Sequence, residues 1–192
     1  AYRGEADELA AVINRLMWSD ERRFYVDLGR DGRQAPVRTV AAYWTLLAGV
    51  ASADRARILV EHLSDPSTFG RRNPVPTCAA NEPGYQAHGG GWRGGVGGPT
   101  NTMVIRGLEQ CGAAELARDI ALRHLQLVAD VYADTGTIWE NYAPDSSEPG
   151  MVRDGLRVRR DFVGWSGIGP ILYLLAHAIG LRPSAPDNLL AW

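Results

Sequence analysis

Lysine is absent from this sequence, and all twenty basic residues are arginine. That uniformity reads as the codon bias of a GC-rich genome, not as twenty guanidinium sites. Cysteine is scarce as well. Cys78 and Cys111 lie far apart without metal-ligand spacing, so they imply neither a zinc site nor a disulfide framework. No excess of basic charge is present: the formal net charge of −2 argues against nucleic acid as the main partner, because phosphate binding needs a basic surface. Long apolar runs are missing too, and none approaches membrane-spanning length. The chain opens on Ala1 with neither Met nor a signal segment, so a leader or a whole upstream domain could precede it. The compartment therefore stays open.

What is present is enough for a core. The 192 residues are 45% hydrophobic and 22% charged, the size and composition of one domain or a piece of one. The unusual stretch is His88–Asn101, where seven glycines surround Trp92-Arg93 and an apolar-periodic segment follows at once. Glycine lets backbone approach backbone or ligand closely, at an entropic cost. A phosphate cradle does not fit, since no Lys-Ser/Thr follows the glycines and no buried strand precedes them. A flexible linker is the plain alternative, although linkers rarely carry an aromatic plane beside a fixed cation.

Six helical periods run along the chain. Leu9, Val12, Ile13 and Leu16 mark the first, ending near Trp18. Phe24, Val26 and Leu28 alternate with Tyr25 and Asp27 as a short strand or hairpin, with a turn at Arg30–Arg33. Val40 to Val50 reads as a second helix. A third, capped by Ser52, stops before Asp65-Pro66. No period survives from Gly70 to Pro99. Helices then begin near Thr100 and after Gly112, the latter stopping at Thr135-Gly136, and a last one ends at Gly180. This predicts an all-α fold, an αα-hairpin array with a short β-hairpin, whose long loops carry the unusual residues.

Those loops hold three constellations. The first is the glycine stretch, with Glu82 and Tyr85 just before it. The others are Thr137–Pro144 and Asp161–Gly167. Each joins an aromatic ring to a carboxylate, amide or guanidinium. Sugars offer C–H faces that pack on rings and hydroxyls that need paired donors and acceptors, so a small carbohydrate is the partner this chemistry implies. The alternative is that the tryptophans anchor long loops onto the helices while the charges cap helix ends.

Trp92-Arg93-Gly94 followed by Pro99-Thr100-Asn101 resembles the signature of the trehalase-like and mannosylglycerate-hydrolase-like glycoside hydrolases. Gly136–Tyr142 is similar to their Gly…Glu-x-Tyr loop, and Asp161–Gly167 to the segment opening their last inner helix. The resemblance spans essentially this whole chain but only the C-terminal part of such an enzyme. It implies an (α/α)6 toroid, or the C-terminal half of one, over residues 1–192. It also implies inverting hydrolysis of an α-glycosidic bond, without metal or organic cofactor. Glu140 is then the expected general base, Arg93 a ligand of substrate hydroxyls, Trp92, Trp139 and Trp165 the walls, and Asn101 and Tyr142 polar contacts. Two departures stand out. No motif for the partner general acid precedes Glu140, leaving Asp161 as the first residue to test. Gly97 stands where relatives usually carry Trp. A degenerate sugar-binding or assembly module is the alternative function. Half a toroid would also leave apolar faces bare on the helices of Leu46/Leu47, Ile105/Leu108 and Ile171–Leu175, to be covered by a two-fold homodimer or by a missing N-terminal part of the domain.

Overall fold

The computed structural model describes residues 2–153 and 155–192. Its helices are α1 (Tyr2–Leu16), α2 (Trp44–Leu47), α3 (Ala53–Ser64), α4 (Gly98–Gln110), α5 (Ala114–Thr135) and α6 (Val163–Tyr173). Four antiparallel two-stranded pairs decorate them: β1 (Trp18–Ser19) with β2 (Phe24–Tyr25), β3 (Asp27–Leu28) with β4 (Gln34–Ala35), β5 (Met151–Arg153) with β6 (Leu156–Arg157), and β7 (Arg182–Ser184) with β8 (Leu189–Ala191). The fold is all-α with short hairpins.

Local chemistry explains most boundaries. Ser52 caps α3, its side chain accepting from the Arg55 N–H. The left-handed Gly136 closes α5. The expected second helix is shorter than its apolar period: a 3-10 turn (Val40–Tyr43) runs into α2, and Gly49 with φ of +65° breaks the chain soon after. The expected hairpin near Phe24 is two successive strand pairs, and the C-terminal β7–β8 pair has no counterpart in the apolar periodicity.

Helix α4 sits at the centre, packed on α2, α5 and α6. The α4–α6 crossing is close because glycines meet there. A Cβ on Gly169 would lie 3.2 Å from the Gly98 Cα, and one on Gly98 would lie 3.0 Å from the Ser166 carbonyl. The buried Tyr173 hydroxyl locks the crossing by donating to the Gly98 carbonyl at 3.0 Å. One core gathers Phe24, Tyr43, Leu59 and Phe69 with Val104, Leu108 and Ile120, with the Phe24 and Phe69 rings stacked 5.7 Å apart. A smaller cluster holds Val96, Leu127, Val131, Trp139 and Tyr142.

Asn101 joins the parts. It is fully buried, its Oδ1 accepts from the Val75 N–H at 2.7 Å, and its Nδ2 donates to the Gly97 carbonyl and to His124 Nδ1, each at 3.1 Å. His124 must therefore be an acceptor at Nδ1, the neutral ring. Burial pushes its pKa down to about 4, against a weaker opposing pull from the Pro74 carbonyl.

Of the three apolar helix faces expected to be bare, two are covered within the chain. Leu46, Ile105 and Leu108 are buried. The third is open: Trp165, Ile168, Ile171, Leu175 and Ile179 form an exposed stripe along α6 and its continuation, with Ile171 62% exposed. Helix α1, at the other end, has no buried residue and exposes Leu9, Val12 and Leu16.

His124 gives the fold a pH dependence of known sign. In the unfolded chain it takes up a proton near its ordinary value of 6.5, but in the fold only near 4. Its contribution is whole above pH 6.5 and is lost as pH falls toward 4, about 3 kcal/mol over that window. Denaturant melts at pH 7 and pH 4.5 should show this loss in wild type. The His124→Gln variant should show a shallower pH slope, and equal slopes would refute the assignment.

Candidate functional site

The glycine stretch is folded onto the chain by its own backbone. The Thr77 hydroxyl donates to the Gly91 carbonyl at 2.6 Å and accepts from the Gly94 N–H at 3.0 Å, while the Thr77 N–H donates to the Gly95 carbonyl. A short 3-10 turn, Gly91–Arg93, results. Gly94 has φ of +135°, and a Cβ there would stand 2.6 Å from the Gln86 carbonyl and 3.0 Å from the Tyr85 ring, so only glycine fits. The stretch is an ordered platform, not a linker. The Tyr85 ring lies against Gly94, and the Gln86 N–H donates to the Arg93 carbonyl. The Glu82 carboxylate, almost wholly buried, accepts from Arg38 Nε at 2.9 Å and Arg22 Nη1 at 3.2 Å. Burial raises the Tyr85 phenol to about 12.

The Glu140 loop is stitched to this platform. Val96 and Tyr142 exchange both backbone hydrogen bonds at 2.9 Å, as single bridges flanked by Pro76 and Pro149. The main chain of Glu140 is gripped from the other side: its N–H donates to the Arg159 carbonyl at 2.9 Å, and its carbonyl accepts from Ser166 Oγ, on α6, at 2.9 Å. The carboxylate itself is exposed, with the Arg159 N–H 3.4 Å from one oxygen. Among the described residues no arginine side chain forms an ion pair with it.

The three loops meet around an open cavity of about 580 Å³. Trp92 from the glycine stretch, Glu140 from the second loop and Trp165 from α6 all line it. The two tryptophans are 69% and 66% exposed, so their rings offer faces to a ligand. The remaining expected contacts lie elsewhere. Asn101 is buried and serves the helix junction. Trp139 is also buried: its indole N–H donates to Thr135 Oγ1 at 3.0 Å, and the Arg157 guanidinium lies 5.7 Å over its ring. Tyr142 is buried as well, its hydroxyl accepting from the Trp139 N–H at 3.3 Å. These three are buried and none lines the cavity. Arg93 is exposed but is not part of the cavity wall.

Sequence reasoning missed Trp44, Met103 and Phe162, which complete the apolar wall, and Thr77, Thr100 and Asn141, which add polar groups. Trp44 and Met103 read as members of apolar helical periods, yet each stands off the buried stripe of its helix and is partly exposed. Phe162 lies inside the same motif as Trp165, and its ring is the signal that could have found it.

Glu140 is the only acid on the cavity wall among the described residues. Asp161 does not line this cavity. Its carboxylate accepts from Thr137 Oγ1 at 2.6 Å and from Arg160 Nε at 3.0 Å, and these partners, the Thr137 hydroxyl foremost, hold its pKa below the usual range. Asp20 accepts from the Trp18 indole at 2.8 Å, in the β1–β2 turn. Neither lines the cavity. Among the described residues no group of three or more His, Cys, Asp or Glu could hold a metal ion.

The helical platform places the chain in the fold class of the helical-toroid glycoside hydrolases, whose solved members it resembles. The chain belongs to the mannosylglycerate hydrolase MGH1-like glycoside hydrolase domain family, whose model matches residues 1–166. It is 31% identical over its full length to an uncharacterized protein of Borreliella burgdorferi, of which it covers 42%. Among solved structures it resembles the GH63 mannosylglycerate hydrolase of Thermus thermophilus in complex with glucose, with TM-score 0.69 and 26% identity over 85% of this chain and 38% of that one. The neutral trehalase of Saccharomyces cerevisiae shares the fold, with TM-score 0.68 and 21% identity over 86% of this chain and 28% of that one. The chain thus spans less than half the length of these relatives.

Two substitutions separate wall from support. Asn101→Ala strips the Val75 N–H and His124 of their partners and should cost about 2–4 kcal/mol of stability. Trp92→Ala should leave stability within about 0.5 kcal/mol, since its ring is exposed. Denaturant melts of both variants check this, and equal losses would contradict the division.

Proposed function

We propose that this chain supplies the general base and the aromatic part of the sugar site of an inverting α-glycosidase that acts on a small glucoside, mannoside or oligosaccharide. The observation that carries the reading is Glu140 itself: an exposed carboxylate, its main chain fixed from both sides, on a cavity walled by Trp92 and Trp165. The tryptophans stack on the C–H faces of the ring, and Thr77, Thr100 and Asn141 offer hydroxyl and amide partners. Glu140 takes a proton from a water that attacks the anomeric carbon on the face opposite the leaving oxygen. A second carboxyl group must protonate that oxygen, about 6.5–9.5 Å from the first so that the water fits between.

No second acid lines the cavity among the described residues, so the acid comes from outside this wall. The bare stripe on α6 begins at Trp165, the residue that also forms the cavity's edge. Whatever covers that stripe closes the site and is positioned to bring the acid. Either an N-terminal part of the same toroid or a second copy of the chain would serve. The lone carboxylate also favours a second reading, a sugar-binding module without hydrolysis.

Glu140→Gln in the natural polypeptide should lower the turnover number for its α-glycoside by about 10²–10⁴-fold while leaving the dissociation constant for the sugar within about threefold. The 192-residue chain by itself should be hydrolytically silent. Polarimetry of the released sugar reads the inversion. Retained sugar binding with no turnover by the wild-type polypeptide would select the second reading, and undiminished turnover in Glu140→Gln would overturn the role of Glu140.

A further inference from the structure

Three glycines line the cavity, Gly91, Gly95 and Gly97, and two of them have no alternative. Gly91 has φ of +57°, in the left-handed region, and a Cβ on Gly95 would stand 2.7 Å from the Gly91 carbonyl. Gly97 differs. Its φ and ψ of −117° and 142° suit any residue, and a Cβ would meet only Thr100 Oγ1 at 3.4 Å and Pro99 Cδ at 3.9 Å, both ordinary contacts. Its place in the wall is nevertheless fixed, because its carbonyl accepts from Thr100 Oγ1 at 3.0 Å and from the Asn101 backbone N–H and Nδ2, each at 3.1 Å. Glycine at such a position forgoes contact and adds backbone entropy to the unfolded chain. Neither backbone nor packing requires it, so what it does is leave space on the cavity side.

We propose that Gly97 is a specificity-determining residue: by leaving a fixed wall without a side chain, it opens a subsite for a neutral, apolar aglycone attached to the bound sugar. The walls on either side carry the chemistry of that aglycone. Pro99 and Met103 follow Gly97 along α4, and Trp44 faces the same cavity from α2. The only charge on this wall is Glu140, with no cation among the described residues, so the wall offers an anionic aglycone no counter-charge while an apolar one is desolvated against rings and a thioether. This inference rests on the sugar-site reading above and deepens it.

The test compares methyl and 4-nitrophenyl α-D-glucopyranosides, and the corresponding mannopyranosides, by calorimetric binding to the natural polypeptide carrying the exposed Glu140→Gln change to prevent turnover. The aryl glycoside should bind about tenfold more tightly than its methyl partner. Gly97→Trp, which fills the space, should abolish that advantage and leave the methyl glycoside within about twofold. Gly97→Leu serves as the second filling variant should the tryptophan compromise folding, as read by circular dichroism. An aryl advantage that survives in the folded variants, or none in the Gly97 background, overturns the subsite while the sugar site stands. Absence of binding of any methyl glycoside defeats the sugar-site reading and this inference with it.

Discussion

The buried amide of Asn101 is the constraint on which the site depends. Its three hydrogen bonds tie the loop at Val75, the start of α4 at Gly97 and the middle of α5 at His124. From Gly97 the influence passes along the chain to Val96, which pairs with Tyr142, two residues from Glu140. Glu140 in turn is held by Ser166 on α6, one residue from Trp165. A single fully satisfied polar group thus fixes the relative positions of the glycine platform, the carboxylate and the far wall. Such a group is stabilising only while every partner is present, and burial keeps the His124 ring neutral so that its Nδ1 can accept.

This arrangement also divides labour within each motif. In Trp139-Glu140-Asn141-Tyr142 the two rings turn into the small core and the carboxylate turns out. In Trp92…Asn101 the first residue is exposed and the last is buried. Charged and aromatic residues side by side in a loop therefore do not share one function; one kind grips the scaffold so that the other can meet a ligand.

Much of the scaffold is legible in the sequence, since periodic apolar residues with Ser52 and Gly136 at the ends define α3 and α5 whatever the tertiary context. The membership of the site is less so. Irregular loops have no period, so nothing in Trp139 or Tyr142 tells which way its ring faces; the first reads as a wall and the second as a polar contact, yet both are buried. Trp44 and Met103 are hidden for the opposite reason, because a helical period absorbs a large apolar residue without showing that it stands off the buried stripe. Arg93, beside Trp92 in the sequence, is off the cavity because the tight 3-10 turn separates adjacent side chains. The exposed stripe on α6 could be expected from composition, but that the faces of Leu46, Ile105 and Leu108 are covered within the chain could not.

The central claim is that the exposed indoles lining the cavity form the sugar wall while the buried Trp139 does not. Nitrogen-resolved NMR of the six tryptophan indole N–H groups during titration with methyl α-D-glucopyranoside and its mannose counterpart tests this most directly. The account predicts shifts at Trp92 and Trp165, and a weaker one at Trp44, with Trp139, Trp18 and Trp192 unmoved. Shifts confined to Trp139, or none at Trp92 and Trp165 under conditions where the sugar binds, would contradict it.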